Sequence, residues 1–244
     1  MSTIGLTFEH DGKLGRITID NPTRRNAMTA QMWAELPDFL REAKGARVLL
    51  IEGTGQHFCA GADIHEMGKL CGDPAATTAF REQMQQALRA LCEFAAPTIA
   101  SIRGTCYGAG LAIAMACDLR FATKDAKFSV PPAKLGLLYP KEDIARLVAL
   151  VGPAKAKQVL FTGEVIPAKT AARSGLINQV QNEEQTKALV EAIMGNSANS
   201  IALLKQLVDG NLADPDRAFE QCFDQNDFAE GLAAFAAHRA PDYS

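Results

Sequence analysis

Apolar and polar positions alternate at Ile4, Leu6 and Phe8 and again at Ile17 and Ile19, on either side of Asp11-Gly12. Period two around a turn pair predicts a β-hairpin. Asn21-Pro22 breaks the chain, and Thr29 then offers a side-chain cap to a helix carrying Met32, Leu36, Phe39, Leu40 and Ala43 on one face. Pro37 is expected to strain the middle of that helix. Val48–Ile51, bounded by Gly53 and Gly55, is wholly apolar and suits a strand buried on both faces. Asp73-Pro74 opens a second helix with Phe80, Met84, Leu88 and Leu91 at helical spacing; Pro97 closes it, and Thr98–Ile102 is the next strand. A third pass gives Gly108-Ala109-Gly110, a small-residue helix from Leu111 to Cys117, and a strand over Leu119–Thr123.

Strands and helices alternating at this spacing predict an α/β fold with parallel pairing. Beyond Lys141 the pattern turns mostly helical, with breaks at Gly152-Pro153, Pro167, Gly175 and Pro215. From about Glu183 to His238 it is a run of amphipathic helices, an extension suited to packing on a neighbouring subunit as well as on its own core.

Composition narrows the function classes. The 244 residues are 48% hydrophobic and 22% charged, enough for one large domain with an ample core. A net charge of −3 leaves no basic surplus for a nucleic-acid backbone. The apolar runs fall far below the ~20 residues that span a bilayer. The start, Met1-Ser2-Thr3-Ile4, shows no signal peptide, so the expected location is the cytoplasm. Cys59, Cys71, Cys92, Cys106, Cys117 and Cys222 lie scattered without a CxxC pair or a histidine at metal spacing. They read as small apolar residues in a reducing compartment, and no metal is expected.

Two small-residue loops carry the candidate chemistry. Phe58-Cys59-Ala60-Gly61-Ala62-Asp63-Ile64 follows the first parallel strand, and Gly104-Thr105-Cys106-Tyr107-Gly108-Ala109-Gly110-Leu111 follows the second. Where a strand hands over to a helix, the first N–H groups are unpaired and the helix dipole favours negative charge. Glycine and alanine let a ligand approach that backbone. Two such N–H groups aimed at one point form an oxyanion hole. Taken alone, either loop reads first as tight packing. Gly108-x-Gly110 is no dinucleotide fingerprint, because Ile113 stands where a third small residue belongs and no acidic residue follows about 20 positions on.

Together and in order, the two loops resemble the crotonase (enoyl-CoA hydratase/isomerase) superfamily. The resemblance includes Asn26-Ala27-Met28, Phe58 to Met67, Gly104 to Asp118, Leu135-Gly136-Leu137, Gly152-Pro153-Ala154, Gly175-Leu176-Ile177 and the tail from Ala234 to Pro241. It implies a spiral core of ββα turns over 1–190 and a helical trimerisation region over 191–244. It also implies a homotrimer or a dimer of trimers, and an acyl-CoA thioester as ligand, with coenzyme A part of the substrate and no other cofactor. The family's two oxyanion amides map onto Ala62 and Ala109, the latter in place of the usual glycine. Arg25, Ala27, Ala60, Asp63, Ile64 and Gly108 would line the path of the substrate, and Arg24 and Arg25 could meet phosphate or simply form a solvated face.

The family's proton chemistry does not carry over. Hydratases of the family use two glutamates, and the matching positions hold Ala112 and Pro132; the aspartate of some isomerases corresponds to Pro140. Tyr139 stands in the active-site loop, where decarboxylating members that act on malonyl-type CoA esters also carry a tyrosine. Those members have histidine at the Ala62 position and threonine at the Pro131 position, so this pattern too is incomplete. The reading is an acyl-CoA enzyme with non-standard proton chemistry led by Tyr139, with Glu142 second. The alternatives are a malonyl-type decarboxylase and a catalytically silent acyl-CoA-binding subunit. Packing is the competing role for Tyr139, serving the helix dipole for Glu142 and Asp143, and capping for Asp63; His65 is expected on the surface.

Overall fold

The computed structural model describes residues 2–243. The hairpin forms as β1 (Thr3–Glu9) and β2 (Leu14–Asp20), antiparallel with Ile4 opposite Ile19. Its turn is longer than a bare Asp-Gly pair, because His10, Asp11 and Gly12 all take positive φ. Then follow α1 (Ala30–Glu42), β3 (Val48–Gly53), α2 (Ile64–Gly68), α3 (Pro74–Cys92), β4 (Thr98–Ile102), β5 (Thr105–Tyr107), α4 (Ala109–Ala116), β6 (Leu119–Ala122) and β7 (Lys127–Ser129). The rest comprises α5 (Lys141–Thr162), β8 (Ile166–Pro167), α6 (Ala168–Arg173), β9 (Gln179–Val180), α7 (Glu183–Met194), α8 (Ala198–Val208), α9 (Pro215–Cys222) and α10 (Asn226–Ala236).

One sheet has the order β1-β2-β3-β4-β6-β9, parallel after the first pair; a smaller one, β5-β7-β8, stands beside it. Successive residues of β3 supply two cores. Leu49 and Ile51 join the main cluster with Met32, Trp33, Leu36 and Leu88, while Val48 and Leu50 meet Ile99, Phe121 and Val190 on the other face. A strand covered on both sides must be apolar throughout, as the run was read.

α1 carries Pro37 in its middle, with Thr29 capping its start through the Met32 amide. One expectation about helices changes. α4 begins at Ala109, two residues earlier than its apolar pattern suggested, and all eight of its residues are buried. The break at Gly152 holds: φ of 75° there splits α5 into two helical halves.

Candidate active site

The first loop is clamped between two other segments by main-chain hydrogen bonds. On one side Phe58 and Cys59 donate to the Arg103 and Thr105 carbonyls at 2.8 and 3.0 Å, and Tyr107 returns a bond to Cys59 at 2.9 Å. On the other, Ala60 donates to Arg25 at 2.9 Å, Met28 to Gly61 at 2.8 Å, and Asp63 to Met28 at 2.9 Å. These bonds set Arg25 beside Ala60 and tie Met28 to Gly61 and Asp63, with Ala27 and Asp63 buried and Ile64 exposed. The 25–26 corner is left-handed, with φ of 50° and 60°. Buried Asn26 holds it by accepting from the Asn21 amide and donating to the Thr54 and His57 carbonyls, at 2.9, 2.8 and 2.7 Å.

The ladder with Met28 uses the Gly61 carbonyl and the Asp63 amide and passes over the amide between them, that of Ala62. Ala109 is the first residue of α4, where the helix offers its amide no partner. Among the described residues, neither N–H has a hydrogen-bond acceptor. The two loops touch backbone to backbone. A Cβ on Gly61 would lie 4.0 Å from the Ala109 nitrogen, one on Gly108 would lie 3.9 Å from the Gly61 Cα, and one on Gly110 would strike the Cys59 carbonyl oxygen at 2.4 Å. Gly108 itself sits at φ 48° and ψ −116°, a conformation that side chains disfavour.

Tyr139 reaches this junction. Its hydroxyl donates to the Gly108 carbonyl oxygen at 2.9 Å, and the Ala112 amide donates to the same oxygen at 3.0 Å. Burial first, and then the negative field of Asp143, push the Tyr139 phenol well above its ordinary pKa. Glu142 is exposed in the first turn of α5 and makes no hydrogen bond to either loop. Asp143 does not cap that helix as expected. It is fully buried, accepting from Arg146 Nη1 at 2.7 Å and Gln85 Nε2 at 3.2 Å. Desolvation raises its pKa against the pull of Arg146 and Gln85. This trio around buried Asp143 escaped the reading from sequence; the acid–base spacing of Asp143 and Arg146 was its only signal.

Asp63 does cap its helix, accepting from the His65 and Glu66 amides at 2.9 and 3.3 Å, and it also pairs with Arg24. Burial raises its carboxyl, but the Arg24 guanidinium and the two amides outweigh that and hold it below the ordinary value. His65 is on the surface, as expected. Buried Cys59 and Cys106 lie within the two loops as neutral thiols, dehydration pushing Cys59 up to about 12. Ala112 lies buried in α4, and Pro132 opens a short turn over Pro132–Leu135.

The model of the family described as enoyl-CoA hydratase/isomerase matches residues 9–244. A Bacillus subtilis protein named "Probable enoyl-CoA hydratase" is 33% identical over 259 aligned positions, spanning 100% of this chain and 99% of its own. The chain belongs to the enoyl-CoA hydratase/isomerase family. A crotonyl-CoA hydratase from Syntrophomonas wolfei is 32% identical with the same coverage. The crystal structure of an enoyl-CoA hydratase/isomerase family protein from Hyphomonas neptunium superposes with a TM-score of 0.93 at 35% identity, over 99% of this chain and 97% of that one. The crotonase fold is thus common to this enoyl-CoA hydratase/isomerase family member and its relatives. No helix among its described residues is long and apolar enough to cross a membrane.

Proposed function

We propose that this chain is an acyl-CoA enzyme that stabilises a thioester enolate, the main-chain amides of Ala62 and Ala109 holding the carbonyl oxygen as negative charge gathers on it. The observation that supports this is the pair of unengaged N–H groups on two loops packed backbone to backbone. Donors fixed in place before charge develops are the large term in such catalysis. Coenzyme A enters as part of the substrate, along a path lined by Arg25, Ala27, Ala60, Asp63 and Ile64, and no separate cofactor takes part. Gly108 leaves the approach to the thioester open.

Hydration needs groups that move protons to and from the substrate. A methyl at Ala112 and a pyrrolidine at Pro132 move none, which favours a reaction that needs only a single proton donor. In a malonyl-type ester the bond from Cα to the carboxylate breaks, CO2 leaves, its electron pair becomes the enolate, and one proton returns to Cα. Glu142, acting through water, is our candidate for returning it. Exposed apolar side chains on α8 to α10 support assembly as a homotrimer or a dimer of trimers. The reading places the enzyme in the cytoplasm.

Turnover on crotonyl-CoA and methylmalonyl-CoA tests this directly. The expected result is CO2 release outpacing hydration, and a loss of ~10²–10³ in rate for Ala109→Pro, which removes one donor. Fast hydration of crotonyl-CoA that Tyr139→Phe leaves unchanged would overturn the non-standard chemistry. Tight binding of acyl-CoA esters with no product from either would leave a silent binding subunit.

A further inference from the structure

One peptide unit joins Gly108 to Ala109, and its two ends face different partners. Its N–H is the Ala109 amide, unengaged among the described residues; its C=O is the Gly108 carbonyl, which accepts from the Tyr139 hydroxyl and the Ala112 amide. A peptide unit is planar, so whatever fixes the direction of the oxygen also fixes the direction of the N–H. The plane rotates about ψ of Gly108 and φ of Ala109, and on the glycine side no Cβ resists that rotation. Without a clamp on the oxygen, the Ala109 N–H can swing away from the point it serves.

We propose that Tyr139 is a positioning residue for the oxyanion hole: its hydroxyl latches the Gly108 carbonyl, aims the Ala109 N–H and strengthens it as a donor. This rests on the assignment of that amide to the thioester oxygen. A carbonyl cannot donate, so the phenol proton must point at the main chain. Hydrogen bonds in series polarise one another, so a proton held on the carbonyl oxygen makes the N–H on the other side of the peptide more positive. The Gly108 amide is itself tied to the Ser129 carbonyl at 2.9 Å, so the peptide units on both sides of this glycine are held. Burial moves the phenol's pKa still further above the neutral range, which suits a fixed donor better than a group that must give its proton away.

The test uses the full-length protein with a 3-aryl-propenoyl-CoA, whose absorption moves to the red when its carbonyl is polarised. The wild type is expected to show that shift on binding. Tyr139→Phe is expected to keep the probe's dissociation constant within about threefold while losing much of the shift. On whichever ester the enzyme turns over, its kcat should fall roughly three- to tenfold with KM little changed, the size of one neutral hydrogen bond. Should Tyr139→Phe fold poorly, 3-fluorotyrosine placed at position 139 supplies a stronger donor of nearly the same shape, and the shift should then grow. A full red shift in Tyr139→Phe, or one indifferent to the fluorine, overturns the latch and leaves the oxyanion assignment standing. Loss of turnover at an unchanged shift also overturns it, pointing to proton transfer by the phenol. A probe that binds the wild type with no red shift overturns both.

Discussion

Asp63 combines two duties in one side chain: it caps α2 and binds Arg24 beside the path proposed for the coenzyme. Its carboxyl is held below the ordinary range, so the folded state is stabilised by its ionised form. That contribution is complete above the unfolded carboxyl's pKa, about 3.9, and is lost as pH falls through the lower folded value. Asp63→Ala is expected to cost about 1–2 kcal/mol at pH 7, mostly as a lost cap, read from urea midpoints. Asp63→Asn keeps a capping oxygen but not the charge, so its deficit against the wild type should stay level from pH 7 to about pH 5 and shrink as pH falls through about 3.9 and below. A deficit independent of pH would show that the charge adds nothing. This cap was legible in the sequence because an aspartate before a helix is a local signal. The burial of Asp143 was not, because its partner Gln85 comes from α3, 58 positions away, and no local pattern encodes that meeting.

At the scale of elements, long strongly patterned segments matched their sequence reading: Thr98–Ile102 is a strand with those bounds, and Asp73 caps a helix that begins at Pro74. The short strands β5, β7, β8 and β9 had no period to announce them; two or three residues become strands only because a neighbour's backbone lies alongside. The start of α4 shows the same limit with more consequence. Gly108, Ala109 and Gly110 have the composition of a loop, yet the helix takes in Ala109 and Gly110, because Gly110 lets α4 press against the Cys59 carbonyl. That close approach is what brings the two loops together. A methyl there would meet main-chain oxygen at 2.4 Å, which no side-chain rearrangement relieves. Gly110→Ala is therefore expected to destabilise by about 1–3 kcal/mol or more in chemical denaturation, as overpacking does. It should also weaken acyl-CoA binding, since the loops must part. Unchanged stability and binding would mean that the contact is slack.

Across the whole molecule, the distribution of apolar surface is uneven. The main core is buried, but the C-terminal helices leave Val208 85% and Phe235 83% exposed, with Leu204, Leu207, Phe219 and Phe223 at least half exposed as well. These helices are not loose. Lys205 of α8 donates to Asp118 at 2.8 Å and to the Phe94 carbonyl at 2.7 Å, and Asp118 in turn accepts from the Thr98 amide at 2.7 Å. An apolar face held in a fixed orientation is what the proposed assembly of copies would cover. The amphipathic period of these segments was plain from the sequence, but one chain's sequence cannot say whether an apolar stripe faces its own core or another copy. Sedimentation equilibrium at micromolar concentration is expected to give the mass of three chains or six. Val208→Asp with Phe235→Asp should reduce it towards one chain. Both side chains are already in water within a single chain, so the fold should lose no more than about 0.5 kcal/mol per site. A wild type that sediments as one chain, or a double variant that still assembles, would show that these faces do not hold copies together.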